Sequence, residues 1–424
     1  MASFKSAKSG HFTRVVMVGH VDHGKSTLVG RLLNDTNSVP QSRWETVAKA
    51  CETAGKNFEY AFLLDALEEE RDQGITIDVT QVKFHSEARD YVLIDAPGHK
   101  EFLKNMISGA ASAEAAVLLI DASEGVQEQS KRHGYLLRLL GIRHIIVAVN
   151  KMDLVDYSEK AFEELKQEYL GFLNSINVHP RTVIPIAARE GQNITTHSSQ
   201  MPWHTGPTLL DALDALPDYP SKEDLDLRFP VQDVYKFDQR RIIAGRISSG
   251  KIAEGDEIAF FPSGRRAIVK TIERWNAPPD KTATAGQSIG ITLTEPLFVE
   301  RGEIIAAPDS PLFVGSELQA HIFWMGERHL VVGRDYTLKL ATQEARCQIT
   351  SIDEVIDAVQ LETATGEKEI ARNEVAKVTL SLHKPIAFDS FGRLEETGRF
   401  VLVDHFNVAG GGIILNPVEP SCII

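Results

Sequence analysis

Gly19-His20-Val21-Asp22-His23-Gly24-Lys25-Ser26, followed by Thr27, fits G-x-x-x-x-G-K-[ST], the pattern of a loop that wraps phosphate oxygens. The glycines allow the backbone to curl so that successive N–H groups point inward, and a following helix presents its positive end to the same charge. In that pattern Lys25 reaches the β- and γ-phosphates and Ser26 is a Mg²⁺ ligand. The pattern needs a strand before it and a helix after it. Residues 12–18 are an apolar, β-branched run of strand type, and 27–33 open a helical pattern.

With 424 residues and 43% hydrophobic content, the chain is too long for one ordinary core and should divide into two or three domains. A net charge of −14 disfavours a general nucleic-acid binder. Cys51, Cys347 and Cys422 lie far apart without C-x-x-C spacing, so neither a disulfide framework nor a cysteine zinc site is expected, and a reducing cytoplasm fits best. Residues 1–10 carry Lys5 and Lys8 but no apolar core of signal-peptide length, and no later run is long enough to span a membrane. A soluble, cytoplasmic protein is the expectation.

Residues 35–74 hold no strand pattern but two helical stretches, 42–53 and 60–72, the second carrying a solvated acidic face. Two alternating strands follow at 79–85 and 91–94, joined in the manner of a hairpin around 86–90. Apolar strands at 115–120, 144–149 and 182–186 then alternate with helical stretches at 101–111, 126–140, 158–176 and 208–216. This is the pattern of a doubly wound α/β domain, assigned to 1–220. From 229 onward short β-type runs and turns replace helical periodicity. Closure removes strand edges, so two antiparallel β-barrels are expected, at 228–309 and 312–424, with the break near Asp309-Ser310-Pro311.

Four separated motifs fall at strand ends of the first domain. Asp95 closes one strand, where its carboxylate would hold Mg²⁺ opposite Ser26, and Thr76 would complete the metal shell. Asp95-Ala96-Pro97-Gly98-His99 brings a histidine beside the γ-phosphate, where His99 would orient the attacking water. Asn150-Lys151-Met152-Asp153 addresses the base: Asp153 can accept two hydrogen bonds from guanine that adenine cannot offer, so the nucleotide should be GTP. Ala187-Ala188 ends the next strand. His20 and His23 lie close in sequence, but no further ligand set accompanies them, which argues against a metal pair.

These residues resemble the translation-factor superfamily of GTPases over essentially the whole chain, and within it the large, GTPase subunit of bacterial heterodimeric sulfate adenylyltransferase. The likeness rests on Gly19 to Ser26, Gly74-Ile75-Thr76, Asp95 to His99 and Asn150 to Asp153. It extends to the stretches 64–78, 140–144, 150–159, 201–210 and 228–232. It implies an α/β P-loop GTPase domain followed by two antiparallel β-barrel domains, with GTP and Mg²⁺ bound by the matching positions. Val21 and Ile75 match the family's hydrophobic gate restraining the catalytic His99, and Lys25 is carried over as a catalytic residue. The resemblance also implies a separate small catalytic subunit that joins sulfate to the AMP moiety of ATP, driven by GTP hydrolysis in this chain. Three features depart from the family. His20 and His23 stand where it usually has Ser and Asp, Ala187 replaces the Ser of its fifth guanine motif, and the tail 408–424 is unfamiliar. Without the Ser hydroxyl, the Ala188 N–H is left to contact the base oxygen alone.

The competing reading is an elongation-factor-like GTPase that delivers aminoacyl-tRNA. Residues 311–424 hold 10 Lys and Arg against 16 Asp and Glu, whereas a face gripping tRNA phosphates should be basic. The charge favours the sulfate-activating reading.

Overall fold

The computed structural model describes residues 12–39, 45, 80–95, 113–217, 221–237, 240–274, 280–357, 363–364, 366–372 and 374–417. The helices expected at 42–53, 60–72 and 101–111 fall outside these residues, apart from Glu45. The chain is built from two compact units, Met1–Pro217 and Asp218–Ile424.

In the first unit, β1 (Phe12–Gly19) runs parallel to β3 (Asp90–Asp95) on one side and β4 (Ala115–Asp121) on the other. β5 (His144–Asn150) and β6 (Thr182–Pro185) extend the sheet in the same direction, and β2 (Thr80–His85) adds an antiparallel edge, giving the order β2-β3-β1-β4-β5-β6. The expected hairpin is there, closed by the Ser86 N–H donating to Arg89 O at 3.0 Å. Every residue of β4 is buried, so both faces of the sheet are covered, which is why these strands read as unbroken apolar runs.

Among the described helices are α1 (Lys25–Asp35), α2 (Glu128–Leu139), α3 (Glu159–Ser175) and α4 (Leu209–Asp214), each within two residues of its expected bounds. Ser158 caps α3 by accepting from the Ala161 N–H, and Thr208 with Asp211 forms a capping box at α4. Parallel strands deliver their carboxyl ends to one edge. There the chain places Gly19, Asp95, Asp121 and Asn150, with Asp121 directly opposite Asn150 in register.

Among the described residues of the second unit, all regular structure is β apart from a four-residue turn of helix, Glu395–Gly398. β7 (Phe229–Phe237), β8 (Arg240–Arg246), β10 (Glu257–Phe261), β11 (Arg265–Glu273), β13 (Ser288–Leu293) and β14 (Ile304–Ala306) close a barrel in the order β10-β11-β13-β8-β7-β14. β9 (Lys251–Ala253) and β12 (Thr282–Thr284) pair separately. In the second barrel, β15 (Phe313–Trp324), β17 (Asp335–Leu340), β18 (Gln343–Asp357), β21 (Glu374–Phe388), β22 (Arg399–Asp404) and β23 (Asn407–Pro417) form the circuit β17-β22-β23-β15-β21-β18. Pairing of β17 with β18 closes it, while β16 (Leu330–Val331) and β20 (Glu369–Ile370) pair separately and β19 (Thr363–Ala364) pairs with the end of β18.

The unfamiliar tail, as far as Pro417, is thus the strand between β22 and β15. Its glycines make room for aromatic rings. A Cβ on Gly412 would lie 2.4 Å from the Phe400 ring, and one on Gly410 would lie 2.9 Å from Trp324. The two barrels do not keep wholly separate cores, because Ala259, Phe261, Ile304 and Ala306 of the first pack into the cluster of the second. Arg228, just before β7, crosses to Asp389 through two hydrogen bonds of 2.7 and 2.8 Å and reaches Ser310 Oγ at 2.7 Å.

Candidate nucleotide site

The phosphate loop leaves β1 at Gly19 and enters α1 at Lys25. Two left-handed residues make the turn, Asp22 at φ 65° and Gly24 at φ 86°. Glycine is required at 24 for a second reason: a Cβ there would stand 2.6 Å from Asn150 Nδ2. No side chain caps α1, so its first-turn N–H groups are left for the loop's concavity. Lys25 Nζ folds back across that curl, donating to Gly19 O and His20 O, each at 2.9 Å. Burial pushes its pKa down, and the Asp95 and Asp22 carboxylates oppose that shift.

Ser26 Oγ donates to Asp95 Oδ2 at 2.8 Å. The two residues proposed as metal ligands on sequence grounds are therefore brought together from β3 and α1. A hydroxyl and a buried carboxylate are hard oxygen donors suited to Mg²⁺. Thr76, Ile75 and the stretch Ala96, Pro97, Gly98 and His99 lie outside the described residues.

Asn150 ties the base side of the site to the phosphate side. Its Nδ2 donates to His23 O at 2.8 Å, and its Oδ1 accepts from the Ala188 N–H at 2.9 Å. The Ala188 N–H, expected to contact the base oxygen, is here bonded to Asn150 Oδ1. The loop after β6 is closed by mutual Ala187 and Gln192 backbone bonds, and Met152 N–H donates to Ile186 O. Asp153 sits half-buried in a short 3-10 turn, Met152–Val155, led in by Lys151 at φ 62°. Burial raises the pKa of the Tyr157 phenol, and the nearby Asp153 and Glu190 carboxylates add to the shift.

His20 and His23 stack edge to face, with ring centroids 5.5 Å apart. His23 is fully buried, with Nδ1 3.2 Å from Leu119 O and Nε2 3.4 Å from Glu124 Oε2, so its ring packs the loop against β4. Burial lowers its pKa.

Two neighbours escaped the sequence reading. His133 on α2 is buried among Lys25, His23 and His20, and burial with those basic groups keeps its imidazole well below the usual pKa. Asp121 has 0% exposure and faces Lys151 Nζ at 2.6 Å. A charge ending an otherwise apolar strand, at the edge that also holds Asp95 and Asn150, was the available signal for Asp121. His133 carried none.

This arrangement defines a P-loop GTPase of the translation-factor class. Consistent with it, the model of the Elongation factor Tu GTP binding domain matches residues 11–218, and that of the GTP-eEF1A C-terminal domain matches residues 317–415. Sulfate adenylyltransferase subunit 1 of Aliivibrio salmonicida is 37% identical over 417 residues, covering 96% of this chain and 87% of that protein. The subunit 1 of Alteromonas mediterranea is 34% identical over 411 residues, with the same coverages of 96% and 87%. The bifunctional enzyme NodQ of Rhizobium meliloti is 36% identical over 412 residues, covering 96% of this chain and 64% of that protein. The chain belongs to the sulfate adenylyltransferase subunit 1 family. Among the described residues, no helix is long and apolar enough to cross a membrane.

Proposed function

We propose that this chain is the GTP-hydrolysing subunit of sulfate adenylyltransferase, coupling GTP hydrolysis to the synthesis of adenylyl sulfate from ATP and sulfate by a separate catalytic subunit. The observation that carries the proposal is the meeting of Ser26 with Asp95 at the mouth of a loop whose lysine is already folded across its carbonyls. Family membership over 96% of the chain supports the choice of partner reaction.

In this reading the loop from Gly19 to Thr27 holds the phosphates, Lys25 neutralises β- and γ-phosphate charge, and Asp153 selects guanine. Ser26 and Asp95, with Thr76, would hold Mg²⁺, which when bound neutralises charge on the transferring phosphoryl group. His99 orients the water that attacks the γ-phosphorus, giving GDP and inorganic phosphate. The adenylyl transfer itself, which releases pyrophosphate, belongs to the partner.

The test is purification of the chain with its native partner, followed by sulfate-dependent pyrophosphate release with and without GTP. Stimulation by GTP, lost in His99→Ala while nucleotide affinity persists, is the expected result. Pyrophosphate release indifferent to GTP would overturn the coupling.

A further inference from the structure

Asp121 belongs to none of the nucleotide motifs, yet it is the terminal residue of a wholly buried strand and is itself inaccessible to solvent. Its two carboxylate oxygens do different work. Oδ1 accepts from the Ser123 N–H at 2.8 Å and from the Ser123 hydroxyl at 2.6 Å, which shapes the turn that follows. Oδ2 faces Lys151 Nζ at 2.6 Å. The turn closes with the Gly125 N–H donating to Asp121 O at 3.1 Å. Its fourth residue, Glu124, stands 3.4 Å from His23 Nε2 in the phosphate loop. One turn of five residues therefore touches the guanine motif at Lys151 and the phosphate loop at His23.

We infer that Asp121 is a positioning residue that sets guanine-nucleotide affinity through Lys151. A lysine side chain has large rotamer freedom to lose when it is held against a ligand. Here the buried carboxylate fixes the ammonium before a nucleotide arrives, so that less ordering remains for the binding step. Register adds to this, because Asp121 and Asn150 are direct neighbours across β4 and β5 and the Ala122 N–H donates to Asn150 O at 2.8 Å. Lys151 is thus held at its backbone by β5 and at its tip by β4. The inference rests on the guanine-nucleotide reading of the site.

The test is titration of the full chain with fluorescent GDP and GTP. Binding by the wild type addresses the underlying reading; the variants address the positioning role. Asp121→Asn keeps an acceptor for Ser123 but sets an amide where Oδ2 met the ammonium, whereas Ser123→Ala leaves the ion pair in place. Asp121→Asn should raise Kd for both nucleotides by about tenfold, and Ser123→Ala should stay within about twofold.

The double variant Asp121→Asn with Lys151→Gln removes both members of the pair and leaves no buried charge unpaired, a change that proteins tolerate better than loss of one partner, and so remains measurable if the single variant folds poorly. It should bind no more weakly than Lys151→Gln alone. Wild-type affinity in Asp121→Asn, or a further tenfold loss in the double variant beyond Lys151→Gln, would overturn the assignment. A wild type that binds neither nucleotide would remove the site reading, and the positioning role with it.

Discussion

Ser26 Oγ donates a 2.8 Å hydrogen bond to Asp95 Oδ2, although 69 residues separate them in the chain. Asp95 is 1% exposed, and the Ser26 hydroxyl and the nearby Lys25 ammonium offset the cost of burying its charge. Asp95→Asn keeps an acceptor for the serine but removes the charge a divalent cation needs. The half-maximal Mg²⁺ concentration for GTP hydrolysis should rise about tenfold, the scale of one lost charge-assisted contact of about 1.4 kcal/mol. An unchanged Mg²⁺ titration would remove Asp95 from the metal shell.

Asp153 lies half-buried in the 3-10 turn after β5, and under the proposed function its carboxylate accepts from the guanine N1–H and amino group. Asp153→Asn turns one acceptor into a donor, so GTP should lose and XTP gain affinity. Competition titration of the two nucleotides checks this, and undiminished GTP selectivity would refute the role.

Arg228 and Asp389 form a two-point ion pair between the barrels with side-chain exposures of 1% and 0%. Asp389 also accepts from the Thr397 hydroxyl. Removing one partner strands a desolvated charge, so Asp389→Ala should destabilise the second unit by about 3–5 kcal/mol. Replacing both with apolar residues of similar volume should cost far less. Chemical denaturation of the wild type and the two variants decides the matter, and equal losses in single and double variants would contradict it.

His133 is buried and its pKa is held well below 6.5, chiefly by burial and then by Lys25, His23 and His20. The unfolded chain therefore binds a proton near its ordinary pKa that the folded chain refuses. The contribution to stability is intact above about pH 6.5 and is lost as pH falls below it. His23 and His144 are shifted in the same direction and add to this trend. Between pH 6.5 and 5, His133→Gln should flatten the stability slope by up to about 1.4 kcal/mol per pH unit. Parallel slopes in wild type and variant would show that the buried imidazole titrates normally.

The sheet of the first unit was legible because its strands are buried on both faces and its helices carry ordinary capping signals, as at Ser158 and Thr208. The barrels were legible in outline from their short runs and turns. Strand order was not, because pairings such as β15 with β23 and β17 with β22 join residues distant in sequence. The tail looked foreign for a related reason: Gly410 and Gly412 answer to Trp324 and Phe400, which local pattern does not reveal.

By itself the sequence determined the kind of site: a phosphate loop, a carboxylate at a strand end and a guanine-reading motif are local patterns whose spacing carries their chemistry. Only the tertiary structure decided how those parts hold one another. Asn150 spends both ends of its amide on His23 and Ala188, and Lys151 is gripped by Asp121. Such pairings depend on which strand ends lie side by side in a parallel sheet, and that neighbourhood exists only after the strands have assembled.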